Sequence, residues 1–191
     1  KTQPSLDFTP DTKPRAVVVS DPELTACTVQ ICATRPRRPA VVTLEQYRVE
    51  LIEQIGSKLM ARRWDEQIKQ GQAPYRSAEA SVDRLFNQVL TISASADGEP
   101  ADWGKMLTAL LVEVRRACRY GFSERELELA GRDLIAGAER AVRTESTIDS
   151  RAVVRELFEA VNEQRPIMSA RQRLALLQEV LPTVSAGEVG R

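Results

Sequence analysis

Polar and apolar residues alternate with a period of two in two neighbouring stretches. In "YRSAEASVDRL", Ala78, Ala80 and Val82 alternate with Ser77, Glu79, Ser81 and Asp83; in "QVLTISASA", Leu90, Ile92, Ala94 and Ala96 alternate with Thr91, Ser93 and Ser95. Successive side chains of a strand point to opposite faces, so each stretch predicts a strand with one apolar face. The short link from Leu85 to Gln88 predicts an antiparallel hairpin. Its other face, small and polar, meets solvent or lines a cavity. Upstream, Cys27, Val29, Ile31 and Ala33 are apolar or small while Thr28 and Gln30 are polar, which predicts a third strand. "RPRRP" closes it, because Pro36 and Pro39 cannot serve a sheet interior. Val17 to Val19 suggest a further short β segment, and residues 1–15, with three prolines and no periodicity, read as an extended arm or linker.

The helical period governs most of the remainder. Thr43 with Gln46 forms a capping box, and a long helix follows to about Gln70, ended by Gly71 and Pro74. Leu44, Leu51, Ile55 and Leu59 set its stripe, with Tyr47 and Ile52 alongside. After "DGEP", Trp103, Met106, Leu107, Leu110, Leu111, Val114 and Cys118 define a second helix. In "CRYGFSERELELAGRDL", Gly121 suits the left-handed residue that ends a helix. Ser123 and Glu126 close a capping box on the next one, with Phe122 and Leu127 at staple positions. Further helices are expected around 148–162, opened by Asp149 or Ser150, and 169–181, opened by Ser169 with Gln172. Ser185 and Glu188 open a last one close to the final residue, Arg191. The chain begins with Lys1 and ends within that helix, so it reads as an excised part of a longer protein. The fold class is α+β, an antiparallel β-sheet with helices packed on one face, as a single domain over 16–191.

Composition narrows the function. The chain has 191 residues, 42% hydrophobic and 28% charged, with 27 basic and 27 acidic residues. Zero net charge argues against a nucleic-acid binder, and no run of apolar residues is long enough to span a membrane. Cys27, Cys32 and Cys118 are odd in number, which argues against a full disulfide framework. Cys27 and Cys32 are expected on opposite faces of one strand, and all three read as small buried hydrophobes.

There is no histidine. The commonest general base, zinc ligand and triad partner is therefore missing. The sequence also lacks a Cys-x-x-Cys pair, a phosphate loop, a Gly-x-Ser-x-Gly elbow and a Ser-x-x-Lys pair. The acid pairs Glu124/Glu128 and Asp65/Glu66 read as solvated helix surface. "RPRR" at 35–38 could grip an anion or a peptide carboxylate, though a solvated loop is the simpler reading. Trp64 and Trp103 could anchor an interface, though partial burial in helix stripes is preferred. A carboxylate-only glycosidase would need two acids flanking a pocket, and nothing in the sequence marks one.

The order of pieces resembles one domain of the insulinase/pitrilysin family of zinc peptidases. Those pieces are "VVVSDPELTACTVQI", a long helix, "APYRSAEASVDRL", "VLTISASADGE" and a helix ending in "GFSERELELAGRDL". Gly121, Phe122, Ser123, Glu126 and Leu127 match its turn motif best, "APY" at Ala73 to Tyr75 and "VLPTVSAGEV" less specifically, and the likeness covers about residues 16–191. The resemblance implies a LuxS/mitochondrial processing peptidase-like metallohydrolase domain. It further implies the non-catalytic type, which follows a catalytic His-x-x-Glu-His domain and carries no zinc. In such enzymes two halves enclose a chamber where peptides are cut. An Arg and a Tyr often supplied by the second half are missing from "NQVLTISASA", which favours a first-half domain. On this reading no catalytic, cofactor-binding or metal residue is assigned. Zinc belongs to the parent's catalytic domain, and the partners are the parent's other domains and a peptide substrate. The lean is to a bacterial periplasm or envelope. The alternative is an inactive homologue acting as a structural subunit beside an active peptidase.

Overall fold

The computed structural model describes residues 13–21, 23–36, 38–85 and 89–190. The chain divides into two compact units: 1–38 with 60–117, and 39–59 with 118–191. The arm expected over 1–15 falls largely outside the described residues.

The first unit holds the sheet. β1 (Cys27–Pro36), β2 (Ser77–Leu85) and β3 (Val89–Gly98) form three antiparallel strands in the order β1-β3-β2. The register places Val29, Ala96 and Ala78 in one row and Ile31, Ala94 and Ala80 in the next. Leu90, Ala94 and Ala96 are buried, as are Met106 and Leu110 of α2 (Trp103–Tyr120) and Met60 and Trp64 of α1 (Leu44–Lys69). Small residues on the sheet let the helix come close. A Cβ on Gly98 would stand 2.8 Å from Met106 Sδ. Gly71, at φ +67°, ends α1 as expected.

Several expectations for this unit need correcting. Val17 to Val19 form no strand; they are 84–88% exposed, with strand-forming residue types but no partner strand among the described residues. The alternation in β1 fails at Ala33, which is exposed on an outer strand of the sheet. In α2 the buried set is Met106, Leu110, Glu113 and Ala117. This is a narrower stripe than the apolar sequence, and it leaves Trp103 58% exposed and Cys118 at the surface. Cys32 is exposed too, on the polar sheet face.

The second unit is helical. α3 (Glu124–Thr144), α4 (Ser150–Glu163), α5 (Ala170–Val180) and α6 (Ala186–Val189) join the first part of α1. Its core gathers Leu51, Ile55 and Leu59 with Leu127, Ala130, Leu177, Val180 and Val184. Leu44, expected in the α1 stripe, is exposed at the helix start.

The caps form as the sequence indicates. The Gln46 amide donates to Thr43 Oγ1 at 3.3 Å, and Gln46 Oε1 accepts from the Thr43 amide at 3.0 Å. The same reciprocal bonds join Ser123 with Glu126 and Ser169 with Gln172, and Asp149 caps α4. Gly121 takes φ +66° and Phe122 packs beside the core that holds Leu127.

Arg48 fastens the C-terminal segment. Its Nη2 donates to Glu188 Oε1 at 2.7 Å and to the Thr183 carbonyl at 2.8 Å. The guanidinium, then the Ser185 hydroxyl and amide, hold the Glu188 carboxyl down at about 2. A depressed carboxylate stabilises the fold fully above the ordinary glutamate value and loses that contribution as pH falls toward the native one. Glu188→Gln should therefore weaken the protein at neutral pH yet lose less stability than the wild type between about pH 5 and pH 2, read from urea melts at each pH. Ile55→Ala, which empties a fully buried position, should cost about 2–5 kcal/mol in the same melts at neutral pH.

Candidate functional site

Two features of the first unit concentrate polar groups. One is the outer face of the sheet. Its rows, set by the register, are Thr28, Asp97 and Ser77; Gln30, Ser95 and Glu79; Cys32, Ser93 and Ser81; and Thr34, Thr91 and Asp83. Asp97 accepts from Thr28 Oγ1 at 2.5 Å and from Ser77 Oγ at 3.1 Å. Ser81 Oγ donates to Asp83 at 2.6 Å and lies 2.9 Å from Ser93 Oγ. A hydroxyl has one proton, so Ser93 donates to Ser81 in that arrangement. Most of the side chains on this face are hydroxyls and carboxylates, and Ser93 in its middle is buried. Such a surface can lie against an extended chain and gives no side chain deep purchase.

The second feature is a buried carboxylate. Glu113 is 2% exposed on α2. An ionised group taken out of water must be paired and hydrogen-bonded. Gln67 Nε2 donates to Glu113 Oε2 at 3.1 Å, Arg63 Nη1 lies 3.4 Å from Oε1, and Arg116 Nη1 lies 3.7 Å from Oε2. Arg63 and Gln67 are four residues apart on α1, hence on one face. Tyr75 completes the chain, its hydroxyl donating to Gln67 Oε1 at 2.8 Å. Burial first, and the Glu113 charge second, push the Tyr75 phenol up to about 12. An open groove of about 510 Å³ lies along this part of α2, lined by Gln67, Lys105, Thr108, Val112 and Glu113 among others. A carboxylate clamped by two guanidiniums and an amide, beside a phenol that keeps its proton far above neutrality, is built to hold α1 to α2.

The other candidate residues are scattered. Glu124 is exposed in the first turn of α3, and Glu128 pairs with Arg132 on its surface. Asp65 is exposed and Glu66 pairs with Arg62. Of "RPRR", Arg35 and Pro36 are exposed at the end of β1 and Arg38 is exposed beyond it; Arg37 lies outside the described residues. Trp64 is wholly buried rather than partly so, and its Nε1–H finds no partner among the described residues. Glu113 was not singled out from the sequence. Its signal is a lone acid at the i+3 position after Leu110, on the side of α2 that turns inward. Among the described residues no group of three Cys, Asp or Glu comes together to hold a metal ion.

No family model and no curated protein matches the sequence. Solved structures do match. The first half of the periplasmic protease PqqL from Escherichia coli superposes with a TM-score of 0.83 at 15% identity, over 90% of this chain and 37% of that one. A predicted insulinase-family protease from Yersinia pestis gives 0.75 at 12% identity, over 94% and 41%. The peptidase M16 inactive domain from Pseudomonas fluorescens gives 0.61 at 12% identity, over 87% and 37%.

The chain has the insulinase-peptidase fold.

The resemblance read from the order of sequence motifs is thus met by a shared architecture, α+β with a three-stranded antiparallel sheet. The chain spans about two fifths of the length of these insulinase-type structures.

For the buried network the measurable consequence is alkaline. An unfolded tyrosine ionises near 10, whereas Tyr75 ionises at about 12. In between, the native state holds more protons than the unfolded one, so its contribution is complete below pH 10 and is lost as pH rises to about 12. Absorbance titration of the three tyrosines should show one ionising at about 12, missing in Tyr75→Phe. That variant should also lose less stability in the alkaline window.

Proposed function

We propose that this chain is the non-catalytic domain of a bacterial zinc metallopeptidase of the insulinase family, serving as wall and packing surface for the parent's peptide chamber. The observation that carries the reading is the insulinase-type fold built from a sequence with no histidine. A zinc site of the His-x-x-Glu-His kind cannot form without imidazoles, and the described carboxylates and thiols do not cluster to replace them. The residues of this chain do not fit the metal, so zinc belongs to the parent's catalytic domain.

The hydroxyl-and-carboxylate face of the sheet suits a chamber wall. It is extended and wettable, as a surface that handles varied unfolded peptides should be. A domain of this fold in Pseudomonas fluorescens is an inactive one, which supports the same role here. The likeness to a periplasmic protease supports the periplasm as the compartment, and no described helix is long and apolar enough to cross a membrane. The protein's other partners are then the remaining domains of its own parent.

The direct test is cleavage of a quenched peptide with added zinc. The 191-residue chain should be indistinguishable from buffer, while the parent should cleave and be stopped by a chelator. Zinc-dependent cleavage by the pure chain would falsify the assignment. If the parent reading frame lacks His-x-x-Glu-His upstream, the chain is instead an inactive homologue working beside an active subunit. The wall itself is tested by Ser95→Trp in the parent, which plants a bulky ring on the polar face. It should lower kcat/KM for long peptides about tenfold, or about 1.4 kcal/mol, with Tm nearly unchanged; an unaltered kcat/KM removes this face from the chamber.

A further inference from the structure

Helix α4 is mounted inside out. Its inward residues are small or charged: Ala160 is buried, and Glu156 is drawn to Arg173 of α5 in an ion pair. Its outward residues are apolar. Val153, Val154, Leu157, Phe158 and Val161 are all exposed, Phe158 by 73% and Val161 by 70%, and Ile167 beyond the helix end is exposed as well. Val154, Phe158 and Val161 stand at i, i+4 and i+7, so they form one continuous stripe. A contiguous exposed apolar patch of this kind marks an interaction surface.

Charge defines what fits it. Arg151 and Arg155 border Val154 and Phe158 around a shallow depression of about 420 Å³. Among the described residues neither guanidinium has an acidic partner. Glu156 and Glu163 are engaged by Arg173 and Arg165, and Glu159, one turn on from Arg155, forms no ion pair with it. A second copy of α4 would bring one free acid, Glu159, to face two arginines. An anionic membrane is also a poor match, because α4 as a whole carries more acids than bases.

We propose that the outward face of α4 docks a neighbouring domain of the parent peptidase, which presents an apolar stripe flanked by acidic side chains to Arg151 and Arg155. The inference rests on the proposed parent, whose relatives of the same fold continue well beyond the span of this chain. Burying Phe158 and its neighbours supplies the affinity, and the two arginines supply the register.

The test uses the full-length parent carrying Phe158→Cys, with maleimide labelling of that residue followed by peptide mass spectrometry. Circular dichroism verifies the fold of each variant. Expected is labelling at least about tenfold slower than that of a free small thiol, independent of protein concentration, and restored toward the free rate by Arg151→Glu with Arg155→Glu. Exchange of the backbone amides of residues 150–163 in the unsubstituted parent should show matching protection, which keeps the idea testable if Phe158→Cys misfolds. Labelling within about threefold of the free thiol overturns the docking while leaving the parent reading intact. Protection that appears only at high protein concentration assigns the face to a second copy and overturns it too. So does protection that survives the double charge reversal, because the partner is then not acidic. A gene that encodes no further domain overturns both readings at once.

Discussion

Alanine and glycine on one side of a three-stranded sheet are the constraint on which the first unit depends. Ala78, Ala80, Ala94 and Ala96 fill β2 and β3 in the middle rows beneath the helices, beside Val29 and Ile31 of β1, and Gly98 stands at the end of β3 where Met106 arrives. Side chains this small cannot fill a core themselves. Much of the volume is supplied from the helices instead, by Trp64, Met60, Met106 and Leu110, with Leu90 from the sheet. Large residues on the helices and small ones in the middle of the sheet set how closely the two can approach. The other face of the strands carries the hydroxyls and carboxylates.

Glu113 follows from the same close approach. With α1 and α2 both committed to the sheet, one inward position of α2 faces α1 rather than the strands, and it holds an acid. The partial charges around it are arranged almost entirely by helix periodicity: Arg63 and Gln67 from one face of α1, Arg116 from the next turn of α2. Removing one member leaves a buried charge or a buried amide without its partner, which costs more than the intact cluster contributes. Such an arrangement specifies one packing of two helices.

Local signals were the legible part of this chain. The boxes at Thr43 and Gln46, Ser123 and Glu126, and Ser169 and Gln172 involve residues three apart, so their geometry follows from sequence spacing alone. The two alternating strands were legible for the same reason, since one residue's neighbours on each face are fixed by a period of two. What failed needed knowledge of distant partners. Val17 to Val19 have the side chains of a strand, but pairing is a property of two segments and no second segment meets them among the described residues. Trp103 and Cys118 sit at the ends of an apolar arc wider than the surface available to cover it, so only its centre is buried. Glu113 broke the arc from within, and a reading that followed the apolar residues passed over the one charged residue among them.

The case of α4 shows how far amphipathicity alone can be carried. Its pattern is as regular as that of α3, and in both helices the apolar side is evident from spacing. In α3 that side meets Leu177 and Val180 within the same unit. In α4 it points away from Ala160 and from the ion pair that holds the helix down, and the unit's own core is complete without it. Periodicity says that a helix has two faces; only the inventory of what already fills the interior says which one faces home. In α4 the small, charged side is the one taken inside, so the apolar stripe and the two arginines beside it stay exposed, which is the arrangement that the proposed docking needs.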